Sequence, residues 1–152
     1  MESGLLPNSS ITASSVYGTH NRHGAWLARL NNVPNGKFWG SWSANLKEAG
    51  QWLQIDLGEE RLLTNFATQG RPSRPQWVTS YKISFSSDSV KWEEYKENGV
   101  VKVFTGNSDQ NTTVSHAANF RARYVRFVVL TWRWHVSMRV ELYGMRIGCD
   151  VP

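Results

Sequence analysis

The sequence predicts an all-β fold, a sandwich or barrel built from short antiparallel strands. Apolar and polar residues alternate over several stretches, turn-forming residues separate these stretches, and no helical stripe of useful length occurs. Alternation places one side of a strand on a core and the other side in water, which is typical of antiparallel sheets. Because 152 residues are enough to enclose one core, we expect a single domain covering residues 1–152.

The alternation is clearest in the segments "QWLQIDLG", "SYKISFSSD", "RARYVRFVVL" and "SMRVELYG". The residues between the core-facing ones, among them Arg139 and Glu141, are predicted to face water. "LLTNFATQG" adds a further strand, and Ala25–Leu30 allows a short helical turn. The predicted core-facing residues are Leu53, Ile55, Leu57, Tyr81, Ile83, Phe85, Val125, Phe127, Val129, Met138, Val140 and Leu142.

Turn signals lie between the predicted strands and complete the pattern of a sandwich or barrel. Such a scaffold carries its loops at the two ends, where binding residues are usually found. The signals are Asn35-Gly36, Gly70 with Pro72 and Pro75, Ser87-Asp88, Asn98-Gly99 and Gly106-Asn107.

The charge balance favours anionic partners. Seventeen basic and twelve acidic residues give a formal net charge of +5, and a basic protein attracts phosphate, sulfate, sialic acid or acidic protein. No block of Lys and Arg resembles a nucleic-acid-binding tail, so we expect no nucleic acid partner. The sequence contains no run of about 18 apolar residues, so it predicts no membrane span. Peripheral contact with a membrane surface remains an open alternative.

The cysteine content and the glycosylation sequons bear on whether the protein works inside or outside the cell. The single cysteine, Cys149, can neither close an internal disulfide nor build a zinc site. The triplets that begin at Asn8 and Asn111 are candidate N-glycosylation sites, and they lean towards an extracellular location. No apolar signal-peptide core follows Met1.

Motifs for catalysis are missing from the sequence. It contains no G-x-S-x-G, no H-E-x-x-H, no phosphate-binding glycine loop and no dinucleotide fingerprint. His20 and His23 form an H-x-x-H pair, but no Asp, Glu or Cys lies between residues 3 and 47 to complete a metal site. Glu93 and Glu94 point to opposite faces of a predicted edge strand. We therefore expect neither an enzyme nor a metal or other cofactor.

A family resemblance emerges from nine segments in order. They are "ITASSVY", "LARLNN", "GSWSAN", "QWLQIDLG", "ATQGR", "QWVTSYKISFSSDSVKWEEYKENG", "FTGNSD", "FRARYVRF" and "MRVELYG". Together they resemble the discoidin domain, also known as the coagulation factor V/VIII type C domain. The resemblance implies a distorted jelly-roll barrel of about eight antiparallel strands. It also implies an extracellular, non-catalytic binding or adhesion module whose ligand is a galactose-type sugar, phosphatidylserine, collagen or another protein.

The sequence departs from the family at its termini. Members of the animal type usually carry a cysteine near each end, joined as a disulfide. Here the N-terminal cysteine is missing, Met145 stands where the second is expected, and Cys149 follows four residues later. The resemblance therefore leaves open whether Cys149 is free or pairs between chains. A lost cross-link of this kind removes on the order of 2–5 kcal/mol of stability.

The resemblance also implies that ligand-binding loops lie at one end of the barrel. Mapped onto this chain, these are Tyr17–Trp26, Ala44–Gln51, Arg71–Gln76 and Arg133–Val136. Trp26 either stacks on a ligand or is buried, whereas Trp39, Trp42, Trp52 and Trp92 are expected to be mainly structural. The candidate ligand-binding residues are His20, Asn21, Arg22, His23, Trp26, Lys47, Arg71, Arg74, Trp77, Trp134 and His135.

The composition of the first loop favours a polar ligand. Relatives that insert into membranes carry exposed tryptophan or leucine there, whereas this chain has the polar run "THNRH". We therefore expect recognition of a glycan or another polar or anionic cell-surface ligand. Peripheral binding to phosphatidylserine membranes and a protein interaction are the alternatives. Participation of the histidines predicts an affinity that changes between about pH 5 and 7.

Overall fold

The computed structural model describes residues 1–19 and 21–148 and confirms the all-β fold. His20 and Cys149 therefore lie outside the described residues. Two short 3-10 helices cover Asn8–Ser10 and Ala25–Leu27. The ten strands are β1 (Ile11–Ala13), β2 (Trp42–Ser43), β3 (Trp52–Gln69), β4 (Trp77–Ser86), β5 (Glu93–Glu94), β6 (Lys96–Glu97), β7 (Val100–Val101), β8 (Phe104–Thr105), β9 (Val114–Arg133) and β10 (Ser137–Arg146).

Eight of the strands form one antiparallel sheet in the order β2-β10-β3-β9-β4-β5, with β1 on β3 and β8 on β4. The segments "QWLQIDLG" and "LLTNFATQG", predicted as two strands, merge into the 18-residue β3. Its pairing with β9 shifts register between Asp56 and Arg61 and again between Leu63 and Asn65. Such bulges bend a strand, so the long strands β3 and β9 change direction along their length.

The core forms where the alternation predicts it. Leu53, Ile55, Ile83, Val125 and Phe127 all have an exposed fraction of 0%. Burying a side chain of this size contributes about 1.5–3 kcal/mol. Leu57, Phe85 and Leu142 are only partly buried. The β6–β7 turn also follows prediction, since Asn98 and Gly99 both have positive φ, as a two-residue type I′ hairpin turn requires.

Two residues of β10 contradict the alternation. Arg139 and Glu141 were predicted to face water, yet they are only 2% and 6% exposed. Loops cover the outer face of β10 around Arg139, and the N-terminal segment covers Glu141. The Glu141 carboxylate accepts hydrogen bonds from the Met1 α-ammonium (2.7 Å) and from the Glu2 amide (2.8 Å). Segments distant in sequence thus bury a face that period-two patterning assigns to solvent.

Three of the tryptophans expected to be structural pack as such. Trp42 is fully buried, and its indole N–H donates to the Ser15 carbonyl at 2.9 Å. Trp52 and Trp92 enclose the Arg126 guanidinium, whose central carbon lies 4.0 and 3.9 Å from the two ring centres. These contacts stabilise the barrel wall. In the part of the chain that the structure describes, no helix is long and apolar enough to cross a membrane.

Candidate functional site

The four predicted loops meet at one end of the barrel and enclose a cleft of about 620 Å³. This volume lies within the usual range for small-ligand sites. Each loop contributes to the lining, and Trp39 completes it from a turn beside the first loop. The lining residues are Tyr17, His23, Trp39, Ser43, Asn45, Lys47, Arg71, Arg74, Pro75, Gln76, Trp134 and His135.

Backbone hydrogen bonds hold the first loop against strand β2. The Tyr17 amide donates to the Ser43 carbonyl at 2.8 Å, and the Ser43 amide donates to the His23 carbonyl at 3.2 Å. The Trp39 amide donates to the Arg22 carbonyl at 3.0 Å. The first loop is therefore fixed at both of its ends before any ligand arrives, which lowers the entropy cost of binding.

The third loop holds Arg71 in one place. The Arg71 amide donates to the Gln76 carbonyl at 2.9 Å, and its guanidinium Nη1 donates to Gln76 Oε1 at 3.0 Å. The guanidinium carbon also lies 5.3 Å from the centre of the Trp39 ring. Burial, and secondarily the neighbouring Arg74, lowers the pKa of Arg71, which is 8% exposed. The site therefore holds a partly dehydrated cation in a fixed position.

Two histidines form the floor of the cleft and stay neutral at physiological pH. Burial lowers the pKa of His23 to about 4, and Arg71, His135 and Arg22 add to that effect. Burial also lowers the pKa of His135, whose Nε2 donates to the Ala44 carbonyl at 2.6 Å. The Nδ1 atom of a neutral His135 is then an acceptor.

His23 carries an unsatisfied polar atom. Its side chain is 7% exposed, and its buried Nδ1 has no hydrogen-bond partner among residues 1–19 and 21–148. Unsatisfied buried polar groups are rare and costly in native proteins.

Aromatic rings surround the histidines. The Tyr17 ring meets His23 and His135 edge-on, each at a centroid distance of 5.3 Å. The His23 and Trp39 rings are stacked at 6.2 Å. At the rim, Trp134 has 62% of its surface exposed. The cleft thus offers both flat apolar surfaces and neutral hydrogen-bonding groups.

The charged side chains in the described lining of the cleft are all basic. Lys47, Arg71 and Arg74 line it, and its described lining includes no Asp or Glu. Lys47 and Arg74 are exposed, whereas Arg71 is buried behind them. Cations of this kind attract an anion most strongly where water is partly excluded. The cleft is therefore suited to a ligand that carries a carboxylate, sulfate or phosphate group.

The structure brings six predicted residues together in the cleft, namely His23, Lys47, Arg71, Arg74, Trp134 and His135. Two others do not line it. Trp26 packs edge-on against Phe38 at 5.0 Å, which excludes it as a stacking platform in the cleft. Asn21 has a φ of 53° and accepts the Gly24 amide through its carbonyl, so it forms a turn instead.

Two further candidates lie beside the cleft. Arg22 lines a side depression that shares Tyr17, His23 and Trp39 with the cleft. Trp77 lines a shallow groove on the other side, which shares Trp134 with the cleft.

Five residues line the cleft that were not among the predicted binding residues, namely Tyr17, Ser43, Asn45, Pro75 and Gln76. Trp39, which also lines it, was expected to be structural. Trp39 follows the Asn35-Gly36 turn and precedes Gly40, whose φ is +82°. A tryptophan in such a turn-rich segment was a signal for a loop position at the surface. Tyr17 and Gln76 stand at the ends of predicted loops, where spacing alone does not show which way a side chain points.

The structure describes only part of the H-x-x-H pair. Within residues 1–19 and 21–148, no group of three or more His, Cys, Asp or Glu side chains is placed to hold a metal ion. The H-x-x-H pair includes His20, which lies outside those ranges, and the His23 ring packs against the rings of Tyr17 and Trp39.

Comparison with known proteins places these features in context. The profile of the F5/8 type C domain matches residues 10–142. Lactadherin from Rattus norvegicus is 40% identical over 152 residues, which cover 95% of this chain and 35% of lactadherin. Lactadherin from Sus scrofa is 40% identical over 157 residues, covering 95% and 37%. This chain thus spans about a third of the length of the lactadherins that it matches.

Solved structures share the same fold. Wild-type discoidin II from Dictyostelium discoideum has a TM-score of 0.82 at 27% identity, covering 90% of this chain and 55% of that chain. A module from Clostridium perfringens in complex with GalNAc-β-1,3-galactose has a TM-score of 0.68 at 19% identity, covering 91% and 98%. At that identity the second likeness concerns the fold alone.

Proposed function

The chain belongs to the F5/8 type C domain family of non-catalytic binding modules, and we propose that its end cleft recognises an anionic glycan outside the cell. The observation that carries this proposal is the lining of the cleft. Lys47, Arg71 and Arg74 contribute positive charge, and the described lining includes no carboxylate to neutralise them. The bidentate guanidinium of a fixed arginine suits a carboxylate or sulfate group.

A sugar uses the remaining features of the cleft. The exposed Trp134 ring and the Trp39 ring offer flat faces for the apolar side of a sugar ring. The neutral His135 offers an acceptor to a ligand hydroxyl, and Asn45 and Gln76 add amide groups. A ligand with one acidic group and several hydroxyls therefore matches the cleft better than a simple anion does.

An extracellular location is part of the proposal. Asn8 and Asn111 are both exposed. The Asn111 Oδ1 accepts a hydrogen bond from Arg139 at 2.9 Å, and N-glycosylation through Nδ2 retains that acceptor. Glycosylation of either sequon is thus compatible with the fold, and mass spectrometry of protein secreted from eukaryotic cells tests it.

Isothermal titration with N-acetylneuraminic acid and with a sulfated disaccharide tests the proposal. Arg74→Gln should weaken binding about two- to fivefold, the range for one exposed ionic contact. Arg121→Gln is the matched control, because it removes an exposed arginine that does not line the cleft. The proposal fails if no acidic sugar binds, or if the two variants weaken binding equally.

Peripheral binding to an anionic membrane is a second candidate, and the rim of the cleft favours it. Leu46 and Trp134 are 44% and 62% exposed, and they accompany Lys47 and Arg74 at the same end. The apolar tips absent from the first loop thus occur on the second and fourth loops. In this alternative a phosphatidylserine headgroup occupies the cleft while these two side chains contact the bilayer.

Flotation of liposomes with and without phosphatidylserine distinguishes the two candidates. Purely electrostatic attachment should fade between low and physiological salt, because exposed charges are screened. Attachment that survives salt but is lost in the paired variant Leu46→Ser and Trp134→Ser would favour the membrane. Binding of acidic sugars without vesicle binding would favour the glycan.

A further inference from the structure

Three depressions run side by side across the loop end of the barrel. The central one is the cleft already described. A side depression of about 330 Å³ joins it through the shared residues Tyr17, His23 and Trp39. A groove of about 490 Å³ joins it on the other side through Trp134. Because neighbouring depressions share wall residues, they adjoin one another, and we call the three together the loop-end track.

The groove is built from aromatic rings and one cation. Trp77, Trp132 and Trp134 line it. The Arg133 guanidinium carbon lies 5.4 Å from the Trp77 ring centre and 5.3 Å from the Trp134 ring centre. Trp77 and Arg133 are cross-strand partners on β4 and β9, so rigid strands rather than loops hold this pair. The groove therefore presents flat surfaces and a positive charge outside the cleft.

The positive charge continues along the whole track. Arg22 lies in the side depression, Lys47, Arg71 and Arg74 lie in the cleft, and Arg133 lies in the groove. No Asp or Glu belongs to the described lining of any of the three depressions.

Two acidic residues close in sequence to the track do not line it. The Asp109 carboxylate accepts hydrogen bonds from the amides of Asn111 (3.1 Å) and Thr112 (2.7 Å) within its own turn. Glu48 follows Lys47 on the exposed second loop, but it is not part of the lining.

We propose that the loop-end track binds a linear sulfated polysaccharide of the glycosaminoglycan type, with one acidic sugar in the cleft and its neighbours over Arg133 and Arg22. The inference rests on the proposed function, since it extends an acidic glycan from one depression to three. A single headgroup or monosaccharide leaves Arg22 and Arg133 unused. A chain with an anionic group on each repeat places charge opposite all the cations and sugar faces over the indoles of the groove.

Chain length is the direct test. Titration with heparin-derived disaccharide and octasaccharide gives the ratio of their two dissociation constants, which we call the length advantage. For the wild-type protein we expect a length advantage of at least about fourfold, since the two additional exposed ionic contacts each contribute about two- to fivefold. Affinity should also rise with every added disaccharide until the track is covered.

Variants locate the effect on the track. The double variant Arg22→Gln and Arg133→Gln should reduce the length advantage by roughly four- to twenty-fivefold, the product of two such contacts. Arg74→Gln should weaken the binding of both oligosaccharides and leave the ratio of their dissociation constants nearly unchanged. Arg121→Gln, which lies on β9 away from all three depressions, is the control for a general loss of charge. Urea denaturation of each variant verifies that it is folded.

The outcomes separate this inference from the proposed function. Equal affinities for disaccharide and octasaccharide would overturn the proposed binding along the track. The proposed acidic-sugar site in the cleft would remain. A length advantage that falls equally in the Arg121 control and in the double variant would show unspecific attraction and overturn the track as well. Absence of heparin binding would overturn the track, and the glycan proposal would fail with it only if N-acetylneuraminic acid did not bind either.

Discussion

Replacing Arg139 with methionine removes a buried guanidinium that connects three loops around the cleft. Its Nε donates to the Gly70 carbonyl at 2.8 Å, and its Nη1 donates to the Asn32 carbonyl at 2.7 Å. Its Nη2 donates to the Gln110 carbonyl and to Asn111 Oδ1, both at 2.9 Å. Burial lowers the pKa of Arg139 to about 10, so it remains charged at pH 7.

The expected loss of folding stability follows from these four hydrogen bonds. Methionine is of similar length and fills the channel of the aliphatic stem, so the change removes hydrogen bonds more than packing. Each buried acceptor left without a donor costs about 1–3 kcal/mol. The loop carbonyls can relax towards water, and the cost of dehydrating the guanidinium is recovered. We expect Arg139→Met to lower the free energy of unfolding by about 3–5 kcal/mol.

Urea denaturation followed by tryptophan fluorescence measures this loss. Arg139→Lys keeps the charge but loses the planar fork, and it should cost about half as much because an ammonium cannot reach all four acceptors. Arg121→Met is the matched control, since Arg121 is exposed and should change stability by less than about 0.5 kcal/mol. Ligand affinity of Arg139→Lys should also fall, because Gly70 adjoins the loop that carries Arg71.

A loss below about 1 kcal/mol for Arg139→Met, with an unchanged dependence on urea, would refute this reasoning. It would show that dehydration of the guanidinium already offsets its hydrogen bonds, as happens for some buried charges. The three loops would then be held by their other contacts.

Three more predictions follow from particular contacts. Gly144→Ala should lower the free energy of unfolding by at least about 2 kcal/mol in urea, because the added Cβ would lie 2.1 Å from the Leu62 carbonyl oxygen. Gly58→Ala meets open space at a φ of +81° and should cost only about 1 kcal/mol. Because the pKa of His23 is about 4 in the folded protein and 6.5 ordinarily, the unfolded chain binds more protons between these values. Stability should therefore fall as pH drops from 6.5 to 4, by up to about 3 kcal/mol, while the protonation of His23 should change ligand affinity little between pH 7 and 5. A melting temperature equally sensitive to pH in His23→Gln would contradict this. Trp134→Ala should change stability by less than about 0.5 kcal/mol and still weaken ligand binding in titration calorimetry; unchanged binding would remove Trp134 from the site.

The pKa of His23 could not be predicted from the sequence. The composition of the first loop predicted histidines that titrate between pH 5 and 7. The structure buries His23 beside Arg71, and this lowers its pKa to about 4. A constant affinity in that range is therefore consistent with a histidine in the site. Neither the burial nor the neighbouring guanidinium is encoded next to His23 in the chain.

The strand segments and most core-facing residues could be predicted from the sequence, because alternation and turn residues act over a few neighbouring positions. The loops that form the cleft were predicted from the resemblance to the discoidin domain. The burial of Arg139 and Glu141, and the place of Trp39 rather than Trp26 in the cleft lining, became clear only from the tertiary structure. The structure also places cations from four separate segments around three adjoining depressions. The physical reason is that the environment of a side chain depends on distant segments. Gly70, Asn32 and Gln110 surround Arg139 only after the barrel has closed.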